Sequence, residues 1–212
     1  NQALKLALQM EAYSKYKSQA GAHLFLFGQQ AEMGNAYSTA QKAYERVLQD
    51  YPDYPHKNNV WLKLADVYVM QKNYIKAQQA YTRAYHINPQ AIIGRKALLS
   101  RGRLERDQLK LFNEAIRTFD KLHNRFPHSQ ESNQAKLDLA NTYILSGTLN
   151  EAQKLLSDYL KMIQDSHHDY VPVVFNLATC YYYGGEFSKT LNLLKELTVL
   201  NNQSPAMQNP YL

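Results

Sequence analysis

A small residue returns along this chain at a nearly fixed interval: Ala40, Ala77, Ala115, Ala152 and Thr190 stand 37, 38, 37 and 38 residues apart. A second column of small residues, Gly28, Ala65, Gly102, Ala140 and Ala178, keeps the same period. No other feature constrains the fold as much. A unit that short cannot bury its apolar face alone, so it must stack on copies of itself and build a core from neighbour to neighbour.

The content of one unit is legible in residues 58–91. There Trp61, Leu64, Ala65, Tyr68, Tyr74, Ala77, Tyr81, Ala84 and Pro89 follow one another at intervals of 3, 1, 3, 6, 3, 4, 3 and 5. Threes and fours are the spacing of one helix face, and the single long interval, around Gln71 to Asn73, divides two amphipathic helices. Pro89 closes the second helix, because proline lacks the amide that a helix interior requires. Ala65 and Ala77 are small where the two helices are expected to cross, and Trp61, Tyr68 and Tyr81 are expected to fill the space around that crossing.

With this pattern of Trp, Leu, small residue, Tyr, Ala, aromatic and Pro, the chain resembles the tetratricopeptide repeat family. The resemblance covers five units, at about 21–57, 58–94, 95–132, 133–170 and 171–204. It implies an all-α fold, a right-handed superhelical solenoid of antiparallel helix pairs. The helix-ending proline recurs as Pro52, Pro89 and Pro127, with Gln164 and Asn202 in the fourth and fifth units. Residues 1–18 look like the second helix of a preceding repeat whose first helix is missing, and 205–212 read as a tail. The opening on Asn1, straight into helical text, suggests a piece of a longer protein. In the third unit Arg106 stands where tyrosine is expected, and one extra residue separates Gly102 from Ala115, which predicts a longer or kinked first helix. The long period and the Tyr51-Pro52 and Phe126-Pro127 endings are similar to bacterial envelope repeat proteins of the Tol-Pal coordinator and barrel-assembly lipoprotein type. That narrower resemblance favours a periplasmic or cell-envelope location.

Chemistry of other kinds finds little support. The net charge of +6 is what a solvated surface with a small excess of lysine gives. No stretch approaches the roughly 18 uncharged apolar residues of a membrane span. The sole cysteine, Cys180, lies in an apolar run, so neither an internal disulfide nor a thiolate metal site can be built. Gly184-Gly185 matches the turn between helices and lacks the Lys-Ser/Thr of a phosphate loop. His167-His168-Asp169 has no partnered ligand at helical spacing, and His123 and His128 flank Pro127 as surface residues. Of the seventeen tyrosines, Tyr37, Tyr44, Tyr68, Tyr74, Tyr81, Tyr143 and Tyr181 occupy signature positions of the repeat. Core packing accounts for them without nucleic-acid stacking. No catalytic residue, metal or cofactor is expected, and the chain is read as a non-enzyme.

The resemblance implies that first helices line the inner wall of the solenoid. The family's inner-face positions fall on Phe25 and Gln29; Leu62 and Asp66; Lys96, Leu99, Arg103 and Arg106; Leu137 and Asn141; and Phe175, Thr179 and Tyr182. Relatives that clamp a C-terminal carboxylate carry paired Lys and Asn where this chain has Phe25 with Gln29 and Leu62 with Asp66, which argues against that mode. Phe25, Leu62, Leu99, Leu137 and Phe175 form an apolar ridge, one per unit. Such a ridge suits a peptide with spaced apolar side chains, or it packs against neighbouring helices. At about 100° per residue, Lys96, Arg103, Arg106 and Lys110 fall within roughly 80° of one another, a basic stripe that could hold an acidic partner group bidentately or simply be a solvated face.

The expected function is therefore a scaffold that binds another protein or peptide in a concave groove, with no nucleic acid and no membrane insertion by this segment. Two alternatives remain: self-assembly through the repeat ends, as a homo-oligomer, and an accessory arm of an enzyme whose catalytic domain lies elsewhere.

Overall fold

The structure, a computed structural model, describes residues 21–164 and 168–203, with Gln2, Leu4, Lys5, Leu6 and Gln9 helical ahead of them. Apart from those five positions, the readings of residues 1–18 and 205–212 fall outside the described residues, as does His167.

The described chain is helical, and it divides into two compact units, residues 1–111 and 112–212. The first unit contains α1 (Ala22–Met33), α2 (Tyr37–Asp50), α3 (Lys57–Met70), α4 (Tyr74–Ile87) and α5 (Ile92–Asp107). Each packs on the next, and α3 also touches both α1 and α5. The second unit contains α6 (Phe112–Arg125), α7 (Gln130–Ser146), α8 (Leu149–Met162), α9 (Tyr170–Tyr183) and α10 (Phe187–Gln203). Here too neighbours pack in order, with α7 also against α9.

The small-residue columns are buried throughout. Ala40, Ala65, Ala77, Ala115, Ala140 and Ala152 have no exposed surface, and Ala178 is 2% exposed. Why they must be small is plainest at Gly28, where an added Cβ would sit 2.5 Å from Cε1 of Tyr44. That ring is itself fully buried, and its hydroxyl donates to Oε2 of Glu32 at 2.8 Å, so it has nowhere to retreat. Gly94 shows a tighter approach that the repeat pattern did not reveal. Its Cβ would meet the carbonyl oxygen of Asn88 at 2.3 Å, an obstacle made of backbone.

Every turn inside a hairpin uses one residue in the left-handed region: Asn35 (φ 57°), Lys72 (60°), Lys110 (56°), Gly147 (80°) and Gly185 (77°). Four of these turns close with an amide reaching a carbonyl five residues back, as Ala36 to Ala31, Asn73 to Tyr68, Thr148 to Tyr143 and Glu186 to Tyr181. After α5 the closing bond runs from Leu111 to Glu105, six residues back. The extra residue of the third repeat is thus taken up in the turn. The helix α5 has 16 residues, against 12, 14, 17 and 14 in α1, α3, α7 and α9, so it is not the longest first helix.

Prolines terminate as expected. Helices α2, α4 and α6 stop at Asp50, Ile87 and Arg125, two residues before Pro52, Pro89 and Pro127, because the residue ahead of a proline is pushed out of helical geometry. Trp61 departs from expectation. It is half-buried, with the Arg83 guanidinium stacked 4.6 Å from its ring, while the fully buried aromatic rings are those of Tyr44 and Phe119. His123 is likewise not a plain surface residue, being half-buried with Nδ1 3.0 Å from Oγ of Ser132.

The buried tyrosines do more than fill space. Tyr44 donates to Glu32, Tyr68 to Glu45, Tyr81 to Asp66, Tyr159 to Asp169 and Tyr170 to Glu196, each bond joining two helices or a helix to its connection. A buried phenol needs an acceptor, and these repeats supply a carboxylate.

Candidate functional site

The inner-wall residues expected from the sequence separate into three groups. Phe25 and Leu99 are in the core, 7% and 4% exposed, and Phe25 packs its ring against Tyr44 and Tyr54 at 5.7 and 6.1 Å. These two are corrections to the apolar ridge: both are buried by the chain's own packing, Phe25 beneath rings from α2 and from the connection after it, so they do not present a surface to a partner. Leu62 and Leu137 are half-buried, and Leu137 lies against the core around Ala140 and Leu156. Within the first unit the packing alternative therefore wins.

A second group is engaged in the chain's own polar bonds. Asp66 accepts the Tyr81 hydroxyl at 2.7 Å, and Arg106 is forked onto Asp107 with Nε–Oδ1 2.6 Å and a second bond of 2.9 Å. The Arg106 side chain is 11% exposed, which corrects its place in the basic stripe. Lys96 and Arg103 remain exposed on α5, and Gln29 and Asn141 are half-buried.

Burial raises the Asp66 carboxyl above the usual carboxylate range, and the Tyr81 hydroxyl and Lys63 offset this only in part. A carboxyl held above its unfolded value takes up protons on folding, so its ionised form costs stability at neutral pH, and that cost is relieved as pH falls through the raised value. Asp66→Asn keeps an acceptor for Tyr81 without the charge. Urea midpoints are expected to show the variant gaining on the parent near neutrality, with the gap closing towards acid. A gap independent of pH would show that Asp66 is not the titrating group.

The third group comes together. Phe175, Thr179 and Tyr182 line one open cleft of about 180 Å³ between α9 and α10, with Ala178, Tyr183, Thr190 and Leu194. Phe175 is 53%, Tyr182 57% and Tyr183 65% exposed. Phe187 and Leu191, 63% and 53% exposed, stand on α10 at helical spacing from the cleft residue Leu194, and the Tyr182 ring is edge-on to Phe187 at 5.7 Å. Thr179 Oγ1 donates to the Phe175 carbonyl, and Thr190 Oγ1 reaches the Ala178 carbonyl at 3.4 Å, tying the cleft floor to the α9 backbone. Below it, burial pushes the Cys180 thiol up to about 11, so it is an inert filler.

Sequence reasoning does not single out Tyr183, Phe187, Leu191 or Leu194. The signal is partial at Leu191, which occupies the place held by Gln41, Gln78, Ile116 and Gln153 in other second helices; unlike the half-buried Ile116, it is exposed. Among the described residues no helix is long and apolar enough to cross a membrane, and no three His, Cys, Asp or Glu side chains are grouped to hold a metal ion.

Comparison with known proteins matches residues 95–182 to YfiO, an outer membrane lipoprotein family, and residues 24–54 to a tetratricopeptide repeat. No curated protein sequence matches the chain. Among solved structures, a tetratricopeptide repeat protein from Parabacteroides merdae has 16% identity over 89% of this chain and 68% of its own, with a TM-score of 0.71. PilW, a type IV pilus biogenesis factor, has 20% identity over 84% and 76%, with a TM-score of 0.62. YrrB, a repeat protein with an unusual peptide-binding site, has 16% over 87% of each chain and 0.61. The fold is that of a tetratricopeptide repeat array. The aromatic cleft falls in the fifth of the repeats read from the sequence.

Proposed function

We propose that this repeat array is a protein-interaction scaffold that holds a partner polypeptide at the α9–α10 cleft. One observation carries the reading: Phe175, Tyr182 and Tyr183 line one cleft with Phe187 against Tyr182, Leu191 stands one turn further along α10, and all five are more than half exposed, an apolar surface of the kind that marks an interaction site. Aromatic side chains on a rigid helix pair make good anchors, because little conformational freedom is lost when they are covered. The peptide-binding site described for YrrB supports the same use of this fold. Lys96 and Arg103 on α5 add a place where an acidic partner is attracted. The likeness to YfiO and PilW supports a role in cell-envelope assembly. We read the chain as non-enzymatic.

The test is affinity capture from an extract of the source organism on the immobilised chain and on a Phe175→Ser/Tyr182→Ser variant, quantified by mass spectrometry. Both side chains are exposed, so circular dichroism should show the helices intact. A polypeptide retained by the parent and depleted about tenfold from the variant is expected, the loss of roughly 1.4 kcal/mol that one or two anchors provide. Identical retained sets would reject the cleft as the binding site.

A further inference from the structure

The repeat itself says what kind of structure fits the cleft. In the preceding hairpin, Ala140 of α7 and Ala152, Leu156 and Tyr159 of α8 form one buried cluster with three residues of the following first helix, Val173, Leu177 and Cys180 of α9. Those three are 0%, 4% and 0% exposed. Moving the cluster on by 38 residues gives Ala178, Thr190, Leu194 and Leu197. The first three of these line the open cleft.

The exposures change accordingly. Leu156 is 1% exposed, whereas Leu194 is half-buried. Tyr37, Tyr74, Phe112 and Leu149 are half-buried at the start of their second helices, and Phe187, in the same column, is 63% exposed. Among the described residues the cleft is therefore one more helix-on-hairpin junction, like those inside the second unit and open on the side where a first helix would lie.

We propose that the cleft receives an amphipathic α-helix of a partner protein, seated as α9 is seated on α7 and α8, with small or medium apolar residues at i, i+4 and i+7. The inference rests on the interaction-scaffold reading and specifies the partner's chemistry. The spacing is that of Val173, Leu177 and Cys180, and it recurs as Val60, Leu64 and Val67 in α3 and as Ala135, Leu139 and Thr142 in α7. Such a face laid on a groove between two helices is a standard mode of helix recognition. A second folded copy of this chain is a poor donor. In α3, α7 and α9 these faces are already buried, and α1 presents His23, Phe27 and Gln30 at the same places, two of them polar.

Two synthetic peptides serve as probes, Lys57–Met70 and Gln130–Ser146, which carry the α3 and α7 faces. Titrated against the full chain, at least one should bind saturably and gain helical circular dichroism. Leu191→Glu in the protein should weaken that binding about tenfold, as should Leu64→Pro or Leu139→Pro in the peptide, since proline breaks the helix. Binding of a proline peptide as tightly as its parent overturns the inference in favour of an extended occupant. Sedimentation showing a dimer that Leu191→Glu dissolves overturns it in favour of a second copy. A tenfold gain in affinity on removing residues 204–212 overturns it in favour of the chain's own tail, and failure of both peptides overturns it outright. If the peptides fail while a captured polypeptide still depends on Phe175 and Tyr182, the scaffold reading stands without helix docking. If they bind while no captured polypeptide shows that dependence, the reverse holds.

Discussion

Tyr44→Ala lowers the unfolding free energy by about 3 to 5 kcal/mol, the cost of truncating a fully buried aromatic ring with a cavity left behind. The ring has no exposed surface, lies against Phe25 at 5.7 Å and fills the space that Gly28 leaves open at the α1–α2 crossing. Collapse into the cavity is resisted from two sides, because Ala40 and Ala43 are already at zero exposure. Tyr44→Phe separates packing from hydrogen bonding. It keeps the ring and removes only the donor to Glu32, which still has the Lys63 ammonium at 3.2 Å, so its cost should be about 0.5 to 1.5 kcal/mol. Burial and the Glu32 carboxylate push the Tyr44 phenol well above its ordinary value, so it stays a donor across the usable pH range. Urea melts followed by helical circular dichroism measure both variants. A midpoint for Tyr44→Ala equal to the parent's would mean that the α1–α2 crossing is not where the first unit's stability resides.

The second large effect is electrostatic and was not visible as such in the residue order. Glu105 is wholly buried, and its Oε1 accepts from Nε of Arg101 and Nε2 of Gln78, both at 2.7 Å. The ion pair lies within α5, with the Arg101 side chain 27% exposed, and the Gln78 bond joins it to α4. Arg101→Met leaves a buried carboxylate without its counter-charge, for which about 3 kcal/mol of destabilisation is expected. Replacing both partners, Arg101→Met with Glu105→Leu, should recover most of that loss, since a well-packed apolar pair is often as stable as a buried ion pair. Equal losses in the single and double variants would show that Arg101 contributes through its aliphatic stem alone.

The comparison of Glu105 with Lys96 and Arg103 shows where sequence reasoning stops. Three charged residues on one helix look alike in the sequence. One is buried against α4 and two are exposed, because Gln78 and Arg101 happen to converge on a single turn of α5. Arg106 was read as a wall cation and is instead forked onto its neighbour Asp107. Phe25 and Phe175 make the same point for apolar residues. They occupy equivalent places in their repeats, yet the first is 7% and the second 53% exposed, since the first lies against the rings of Tyr44 and Tyr54 while the second lines an open cleft.

What the sequence determined by itself is the period and its consequences. Small residues at 37- and 38-residue spacing fix where helices cross, threes and fours fix which faces meet, and prolines fix where second helices stop. These are local requirements of backbone approach and amide pairing, so they are written into residue identity at each place. The tertiary structure alone decided which of the equivalent positions are covered. Coverage depends on whether a neighbouring helix is there, a property of place in the stack that five nearly identical columns of residues cannot record.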